Sequence, residues 1–568
     1  MKKLRKLRDA VKFDTVKGYV YNAIEKYPDN NAFIIKLKKG VYKYITYKEL
    51  GEEIKNLGTV FIDLGLENKR VAIIGKNNYE WFLSYLAVFC GVGITVPLDK
   101  GLQENEILMS LQRSKADAIV FEKPYLDIIE KLKQDKNTTV KQFICMEEVE
   151  GKESIENIPA LLAKGEELLK NGDTRFENHK IDPNAMATII FTSGTTSMSK
   201  AVMLSNNNIA SNIYDMHMVE SFYSTDVNMA FLPFHHTFGS TGLLVFLSAG
   251  ATNVFCDGLR HIQENLREYK VTAFVCVPLL LEAMYKKIMT EVERQGKTKL
   301  IKIATPISNF LLKFKIDIRR KLFKQILDQL GGSLRFIVSG ASAIDKKVAK
   351  GFNDFGILAV QGYGLTECSP VLVAENEENI RYGSIGKPMI NIDIKIDNPN
   401  EEGIGEIVAK GPNVMLGYYE MSEETEKVLK DGWFYTGDLG YIDKDGFIFI
   451  TGRKKNVIVL KNGKNVYPEE IEQLIANLPY VAENMVYGKE KDDDLVVSLK
   501  LVYNKEYVEE KYPNVSEEEL KGIIWKDIKE INKSLPTYKY IKNLTITDEP
   551  MIKTTTAKVK RFEEMKKM

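Results

Sequence analysis

Short apolar segments alternate with longer amphipathic stretches through most of the chain. Four runs have the composition of buried strands: VAIIG from Val71, AIVF from Ala118, TAFVCVP from Thr272 and LRFIVSGA from Leu334. The stretches between them repeat apolar positions with a helical period and carry charged residues on the opposite face. This alternation predicts an α/β fold built on parallel sheets.

The pattern changes between residues 403 and 449. Apolar runs in this part are separated by the pairs Asp431-Gly432 and Asp445-Gly446, which favour tight hairpin turns. We therefore predict a smaller β-rich subdomain at the end of a large N-terminal domain.

A helix is expected at YPEEIEQLI, where Pro468 suits an early helical position and the glutamates suit the positive end of the helix dipole. The pattern here is α+β again. We place the boundary near Arg453, so that an N-terminal domain spans residues 1–452 and a small, mobile α+β C-terminal domain spans residues 453–568.

Composition and charge narrow the class of protein. The chain has 568 residues, of which 44% are hydrophobic and 28% charged, as in ordinary globular proteins with well-buried cores. The formal net charge of +1 gives no overall attraction to nucleic acid, and we expect no nucleic-acid partner. The five cysteines form no CxxC pair, which favours neither disulfides nor zinc and fits a reducing cytoplasm.

No targeting or membrane-spanning segment is expected. The basic start MKKLRKLRDAVKF has no apolar stretch after it, so we interpret it as a solvated helix turn, with contact to an anionic membrane as the alternative. The uncharged stretches 81–98 and 227–256 contain glycine, proline or histidine and lack an unbroken run of about 18 apolar residues. We predict that they form buried helix-plus-strand elements.

One loop carries candidate chemistry. FTSGTTSMSK, residues 191–200, offers hydroxyls, turn N–H groups and the positive charge of Lys200, which together suit polyphosphate. The ATPase P-loop needs GxxxxGK[ST], but here Ser199 precedes the lysine and Ala201 follows it, so that motif is excluded. Taken alone, the loop is better interpreted as a surface Ser/Thr turn.

Other unusual stretches follow this loop along the chain. They are FLPFHHTFG (231–239), VSGASAI (338–344), QGYGLTECSP (361–370), WFYTGDLGYID (433–443), TGRKKNVIVLKNGKNVYPEEIE (451–472) and KTTTAKVKR (553–561). Together and in this order, they resemble the adenylate-forming acyl-CoA synthetase superfamily, most closely bacterial long-chain fatty-acid–CoA ligases. The resemblance covers nearly the whole chain. It implies ATP-dependent conversion of a fatty acid to acyl-AMP with release of pyrophosphate, and then transfer to a thiol such as that of CoA.

The resemblance assigns the phosphate contacts of ATP to the loop. The residues that would wrap the β- and γ-phosphates are Thr192, Ser193, Gly194, Thr195, Thr196 and Lys200. The family has glycine at the positions of Ser197 and Ala201, so this chain departs from the pattern there.

The resemblance also implies how the nucleoside is held. Gly340, Ala341, Tyr363 and Gly364 would line the adenine pocket, and Asp438 and Arg453 would bind the ribose hydroxyls. A carboxylate suits that task because its two oxygens accept hydrogen bonds. Taken singly, Asp438 is an ordinary turn residue and Gly340 an ordinary strand-end turn.

Three residues near the reacting atoms follow from the same comparison. Thr366 would lie near the α-phosphate and Glu367 would hold Mg²⁺ through its carboxylate. His236 corresponds to a histidine beside the carboxylate-binding site, and the neighbouring His235 leaves the choice between the two open. Taken alone, Glu367 fits a surface carboxylate and His236 a core histidine.

The C-terminal region would supply the remaining groups. Lys558 corresponds to a lysine that reaches the α-phosphate and the attacking carboxylate, although Ala557 replaces the glycine that usually precedes it. Lys455 matches the hinge about which the small domain turns, and Gly463 lies in the loop expected beside the pantetheine tunnel. CoA is the expected acceptor, and an acyl carrier protein is the alternative, because the stretch 452–470 is similar to acyl–acyl-carrier-protein synthetases as well.

The segment from Lys297 to Gly332 is similar to an insertion found in long-chain fatty-acid–CoA ligases. It is rich in lysine, arginine and apolar residues, and two interpretations stay open. It borders a lipid entry site at the inner face of a membrane, or it is a solvated basic helix packed by its Phe and Leu face.

Two other classes of function share this pattern of motifs. A regulatory protein that binds nucleotide but has lost catalysis would explain Ser197, Ala201 and Ala557. The presence together of Lys200, Glu367, Asp438, Arg453 and Lys558 argues against it. A luciferase-type oxygenase shares the fold, but no residue of this chain favours it.

Overall fold

The computed structural model describes residues 2–151, 154–192, 199–461, 463–491, 494–553 and 559–568. These residues form three large sheets of nine, eight and five strands, and smaller sheets of three and two strands. Helices lie between the strands, so the predicted α/β class, with a large N-terminal part and a small C-terminal part, is confirmed.

The nine-stranded sheet is parallel except at its edges. Its order is Lys387–Pro388, Val371–Ala374, Leu358–Gly364, Phe336–Ser339, Ala273–Cys276, Val227–Ala230, Thr252–Phe255, Asn31–Lys38 and Val41–Thr46. The first two strands and the last pair antiparallel with their neighbours, and the rest are parallel. The carboxyl ends of the parallel strands therefore meet at one edge, where α/β proteins usually bind ligands.

The eight-stranded sheet joins this first sheet through a shared hydrophobic core. Its order is Gly417–Tyr418, Lys200–Ser205, Met186–Thr192, Ile94–Leu98, Arg70–Ile74, Ala118–Phe121, Gln142–Cys145 and Glu156–Asn157. The hairpin of Met186–Thr192 and Lys200–Ser205 is antiparallel, and Gly417–Tyr418 pairs antiparallel with its second strand. The four apolar runs predicted to be strands all lie in the two large sheets.

The five-stranded sheet is the predicted β-rich subdomain. It consists of Asp393–Asp397, Gly405–Lys410, Trp433–Ile442, Leu429–Lys430 and Ile448–Arg453, all antiparallel. Asp431 and Gly432 form one hairpin turn with positive φ angles of 52° and 77°, as a type I′ turn requires. Both predicted Asp-Gly turns are confirmed.

The α-helices are short to medium in length. They are Val16–Lys26, Tyr47–Asp63, Tyr79–Ala87, Glu104–Ser114, Leu126–Gln134, Ile158–Lys170, Arg175–Asn178, Asn206–Val219, Thr237–Ser248, Ile262–Glu268, Pro278–Arg294, Thr298–Leu312, Arg319–Leu322, Lys324–Gln329, Lys346–Asp354, Ser422–Val428, Pro468–Ile475, Lys505–Lys511, Glu517–Lys533 and Arg561–Lys566. In the described part of the chain, no helix combines the length and the apolar character needed to cross a membrane.

The C-terminal region has a core of its own. The strands Val481–Lys491, Asp494–Tyr503 and Asn543–Thr547 form its sheet, and Ile458–Val459 pairs with Asn465–Val466 in a small hairpin. Its hydrophobic cluster draws on residues 458–546 and none from the large sheets. Pro468 is the first residue of the predicted helix, which is confirmed. The division into domains at residue 453 stays a prediction.

The basic N-terminus is not a helix turn, and that prediction is wrong. Residues 2–13 are irregular, and the first helix begins at Val16. Leu4 is buried and its N–H donates to the carbonyl oxygen of Pro388, while Lys3 pairs with Asp393 at 2.9 Å. The segment is thus held against the large domain, without regular secondary structure, by backbone hydrogen bonds from groups that a helix would have used internally.

Candidate active site

Asp438 is the centre of a buried hydrogen-bonded cluster. It faces Arg453 across the pair of strands Trp433–Ile442 and Ile448–Arg453. The Tyr363 hydroxyl donates to Asp438 Oδ2 at 2.7 Å, and Arg453 Nε lies 3.0 Å from Oδ1. Asp438 is only 3% exposed, and a buried charge needs partners. Arg453 supplies the opposite charge and Tyr363 supplies a hydrogen bond. The structure therefore brings together Tyr363, predicted for adenine, and the two residues predicted for ribose, Asp438 and Arg453.

The protonation of Tyr363 follows from this contact. Burial raises the pKa of the Tyr363 phenol well above its usual value, and the adjacent Asp438 carboxylate raises it further. The phenol therefore stays neutral and keeps donating to the carboxylate. One residue before Asp438, Gly437 has a φ of +73°, and its N–H donates to Glu406 Oε1 at 3.0 Å.

Gly364 has a packing reason to be glycine. A Cβ at this position would lie 1.7 Å from the carbonyl oxygen of Pro370, where the chain returns antiparallel after a short turn of 3₁₀ helix, Thr366–Cys368. The N–H of Leu365 donates to the same carbonyl oxygen at 2.9 Å. This close approach fixes the start of the turn that carries Thr366 and Glu367. Contact of Gly364 and Thr366 with the nucleotide stays a prediction.

Glu367 is linked through Tyr418 to Lys200, at the end of the loop 191–200. The Tyr418 hydroxyl donates to Glu367 Oε1 at 3.0 Å. The Lys200 ammonium lies 4.6 Å from the centre of the Tyr418 ring, a cation–π contact, and 3.0 Å from Glu424 Oε2. Burial and then the Glu367 charge raise the pKa of Tyr418, which keeps it a donor. Hydrogen bonding from Lys427, and then from Lys200, lowers the pKa of Glu424 to about 2.

The strands on either side of the loop are described, but most of the loop is not. Thr192 pairs with Lys200, and the Thr192 hydroxyl donates to the Lys200 carbonyl oxygen at 3.3 Å. Ala201 is buried in the sheet, where a small side chain fits, so this departure from the family pattern lies in a strand. The predicted residues Ser193, Gly194, Thr195 and Thr196 lie outside the described residues, as do Ser197, Ala557 and Lys558.

Arg113 contacts the base of the loop. Its guanidinium lies 5.3 Å from the centre of the Phe191 ring and donates to Ser199 Oγ at 3.2 Å. Burial lowers the pKa of Arg113, yet the group keeps its charge because its ordinary value is so high. A second positive charge therefore stands close to the loop, besides Lys200.

The Gly340 turn lies against the helix Thr237–Ser248. A Cβ on Gly340 would meet the Phe238 ring at 2.8 Å, and its N–H donates to the Cys276 carbonyl oxygen at 3.0 Å. Ala341 has a positive φ of 73°. These features turn the chain sharply at the carboxyl end of the strand Phe336–Ser339. The adenine contact predicted here stays a prediction.

The two histidines lie side by side. The rings of His235 and His236 are 4.1 Å apart between centroids, and His236 is the N-cap residue of the helix Thr237–Ser248. His235 is buried, with Nε2 3.5 Å from Asp99 Oδ2. The role of His236 beside the carboxylate of the substrate stays a prediction.

Lys455 and Gly463 lie in the C-terminal region. Lys455 is in a single 3₁₀ turn, Lys454–Asn456, directly after the strand that ends at Arg453. Gly463 lies in the tight turn of the small hairpin with a φ of +76°, and a Cβ there would meet no described atom within 4 Å. The hinge role of Lys455 and the role of Gly463 beside the thiol stay predictions.

Tyr418, Glu424 and Arg113 were missed by the sequence reasoning. Tyr418 reaches Glu367 because the short strand Gly417–Tyr418 pairs with Lys200–Ser205, which lies more than 200 positions earlier in the chain. Pairing at such a distance leaves no local periodicity to detect. A glycine followed by two tyrosines after an apolar run was the only signal available.

Magnesium fits Glu367 only in company with other oxygens. Among the described residues, no group of three or more His, Cys, Asp or Glu side chains is arranged to hold a metal. Mg²⁺ commonly takes one or two carboxylates together with phosphate oxygens and waters. Glu367, with Oε1 fixed by Tyr418, suits such a role beside a nucleotide.

Comparisons with known proteins give matches along most of the chain. A family model described as AMP-binding enzyme matches residues 20–419, and one described as AMP-binding enzyme C-terminal domain matches residues 455–567. Long chain acyl-CoA synthetase 4 of Arabidopsis thaliana is 28% identical and covers 84% of this chain and 76% of its own length. Long-chain-fatty-acid–CoA ligase 5 of Rattus norvegicus is 28% identical over 92% of this chain and 82% of its own. A chloroplastic long-chain-fatty-acid acyl-carrier-protein ligase of Arabidopsis thaliana is 26% identical over 89% of this chain and 79% of its own.

Solved structures share the fold. The anthranilate CoA ligase AuaEII in complex with anthranoyl-AMP has a TM-score of 0.76 at 18% identity and covers 98% of both chains. ATP-bound MatB from Rhodopseudomonas palustris has a TM-score of 0.74 at 22% identity, over 97% of this chain and 98% of its own.

Proposed function

The chain belongs to the family of AMP-binding enzymes, and we propose on this basis that it is an AMP-forming ligase that joins a fatty acid to a thiol. A carboxylate is a poor acyl donor because neither oxygen leaves readily. An oxygen of the carboxylate attacks the α-phosphorus of ATP, the bond from that phosphorus to the β-bridging oxygen breaks, and pyrophosphate leaves. The product is an acyl-AMP mixed anhydride.

The Asp438 cluster is the observation that carries this proposal. A buried carboxylate, oriented by a neutral phenol and a guanidinium, is well suited to accept hydrogen bonds from the two ribose hydroxyls. Tyr363 presents its ring beside the same carboxylate, where adenine would lie. The contacts between these residues fix the cluster before substrate arrives, which favours catalysis by positioning.

We assign neutralisation of the phosphate charges of ATP to the residues around the loop 191–200 and to Glu367. Lys200 and Lys558 would balance the charge that develops on the phosphates, and Arg113 would hold the loop through Ser199. Glu367 would hold Mg²⁺, which when bound neutralises phosphate oxygens. Tyr418 orients the Glu367 carboxylate through its hydroxyl. Thr366, Gly340 and His236 would line the α-phosphate, the adenine and the carboxylate of the acid.

The second half-reaction transfers the acyl group. The sulfur of a thiol attacks the carbonyl carbon of acyl-AMP, the thiol proton is lost, and AMP leaves. We propose that rotation about Lys455 exchanges the faces that the C-terminal region presents, so that Lys558 serves adenylation and the Gly463 turn serves thioester formation.

Long-chain acids and CoA are the proposed substrates. This proposal is supported by relatives that are named long-chain acyl-CoA synthetase or ligase and that match most of this chain. An acyl carrier protein is the alternative acceptor, because one relative is named as a long-chain-fatty-acid acyl-carrier-protein ligase. Long acyl chains partition into bilayers, so peripheral contact with a membrane is part of the proposal.

The acceptor is tested by presenting both thiols in one assay. The protein is incubated with ATP, Mg²⁺ and palmitate, and with either CoA or an acyl carrier protein bearing phosphopantetheine, and the thioesters are measured by mass spectrometry. Palmitoyl-CoA formed at least tenfold faster than the palmitoyl carrier protein supports the assignment. The reverse preference would replace CoA by the carrier, and a fall in both products in Asp438→Asn, at an ATP concentration near the native KM, ties either product to this site.

A further inference from the structure

The helix Thr298–Leu312 exposes an apolar stripe. Leu300, Ile303, Ile307, Phe310 and, just after the helix, Phe314 recur at intervals of three and four residues, and each is more than half exposed. This spacing places them on one face. The rings of Phe310 and Phe314 touch, with centroids 5.3 Å apart, so the stripe is continuous at this end.

A different face of the helix packs against the protein. Ala304 and Ser308 are buried, and Asn309 Nδ2 donates to Asp354 Oδ1 at 2.8 Å. Small and polar side chains, together with Ile301, thus attach the helix to the large domain, whereas the side chains of the stripe point outward. The interpretation in which the segment packs by its Phe and Leu face therefore does not hold for this helix, whereas it holds for the later part of the segment, where Phe323, Leu327 and Leu330 are buried.

Positive charge accompanies the stripe. Residues 297–324 contain nine Lys or Arg and one Asp, a net charge of +8 by subtraction, whereas the whole chain carries +1. Lys299, Lys302, Lys313 and Lys315 are exposed, and no carboxylate in the described part of the chain forms an ion pair with them. At 100° per residue, Lys299, Lys302 and Lys313 border the stripe along one edge. Their ammonium groups are free to meet external anions.

We propose that this stripe docks the protein on the surface of an anionic lipid bilayer. An exposed apolar face beside lysines is the pattern of helices that lie in the membrane interface, where apolar side chains enter the acyl boundary and lysines meet the headgroups. A second copy is disfavoured because it would oppose two segments of net charge +8. The inference deepens the proposed function by naming the surface that would meet the lipid source of its substrate.

The test measures binding to vesicles in the absence of ATP and acyl substrate. Full-length protein is sedimented with vesicles of phosphatidylglycerol and phosphatidylcholine, or of phosphatidylcholine alone. We expect at least tenfold stronger partitioning onto the anionic vesicles, weakening as salt is raised. Ile303→Ser, Ile307→Ser and Phe310→Ser combined should lower it at least tenfold, and so should Lys299→Gln, Lys302→Gln and Lys313→Gln combined.

Matched controls change the same chemistry elsewhere. Val11→Ser, Leu37→Ser and Leu259→Ser combined remove three apolar side chains that are each more than half exposed. Lys521→Gln, Lys526→Gln and Lys529→Gln combined remove three exposed lysines from the helix Glu517–Lys533. Both controls should bind vesicles within twofold of the native chain, and equal thermal unfolding midpoints verify that all variants are folded.

Three results would overturn the proposal. The first is a native protein that does not sediment with anionic vesicles, and the second is a serine variant that sediments as well as the native chain. The third is a dimer in light scattering that only the serine variant loses, which would make a second copy the occupant of the stripe. The vesicle assay measures binding and not activity. A protein that binds vesicles but has no ligase activity would therefore contradict the proposed function and still support the docking surface.

Discussion

Both carboxylate oxygens of Asp438 are held by residues that the sequence analysis had assigned to ATP for separate reasons. Tyr363 came from the QGYGLTE stretch and Arg453 from TGRKK, and the structure joins them on one buried carboxylate. The resemblance could name the residues, but their contacts depend on sheet pairing. Tyr418 had no motif of its own and was found only through its bond to Glu367.

Asp438→Asn should weaken nucleotide binding without changing the shape of the site. The amide keeps one acceptor oxygen but loses the charge that pairs with Arg453 and receives ribose. Loss of a charged hydrogen bond of about 1.5–3 kcal/mol corresponds to a rise of roughly 10- to 100-fold in the KM for ATP. Asp431→Asn, in the exposed hairpin turn next to the same strand, is the control. A KM within twofold of the native value in Asp438→Asn would exclude the ribose role.

Tyr418→Phe removes one hydroxyl and keeps the ring beneath Lys200. Glu367 then loses the donor that orients Oε1, and partners of this kind typically contribute 10- to 100-fold to metal affinity. We expect the Mg²⁺ concentration for half-maximal adenylation to rise about tenfold. Tyr419→Phe, whose ring contacts Arg70 and Lys115, should leave that value unchanged. An unaltered Mg²⁺ dependence in Tyr418→Phe would separate Glu367 from the metal.

Glu375 predicts a dependence of stability on pH. Burial raises the pKa of its carboxyl to about 7 in the folded protein, against an ordinary value near 4.3. A raised pKa means that ionisation opposes folding, so stability falls as pH rises through this window and levels off above it. The loss amounts to about 4 kcal/mol. Glu375→Gln cannot ionise, so its urea-unfolding midpoint should decline less than that of the native chain between pH 4.5 and 8.5. Parallel declines would contradict this assignment.

At the scale of elements, strands and turns were the parts that the sequence predicted well. Alternating apolar runs identified strands such as Arg70–Ile74 and Phe336–Ser339, and Asp-Gly pairs identified the hairpin turns, because both signals are local. The N-terminal segment was mistaken for a helix turn. Its position depends on partners such as Pro388 and Asp393, which are distant in sequence.

Gly364→Ala tests whether the turn after the strand Leu358–Gly364 requires the close approach of Gly364 to the carbonyl oxygen of Pro370. A Cβ there would lie 1.7 Å from the Pro370 carbonyl oxygen, a contact that only backbone movement can relieve. We expect a loss of about 3 kcal/mol or more in the free energy of unfolding. Gly522→Ala is the control, since its Cβ would meet nothing within 4 Å inside the helix Glu517–Lys533. That change should stabilise by about 0.5–1 kcal/mol. Equal urea midpoints for the two variants would contradict the packing argument.

At the scale of the whole molecule, the predicted class and order of parts hold, whereas the orientation of one helix did not follow from its pattern. The period of Thr298–Leu312 identified an apolar face but could not tell whether that face meets the core or the solvent. The core beneath it accepts Ala304 and Ser308, and this is decided by elements far away in the chain. Domain movement about Lys455 and the reach of Lys558 stay predictions for the same reason.

The most direct test of the central claim is ATP–pyrophosphate exchange with a series of carboxylic acids from acetate to oleate. It reads the adenylation step alone and needs no thiol acceptor. We predict exchange that rises with chain length in the native protein and falls at least 100-fold in Lys558→Ala, because the positive charge beside the reacting phosphate is lost. Absence of exchange with every acid, in a protein that still binds ATP, would contradict the account and favour a nucleotide-binding protein without catalysis.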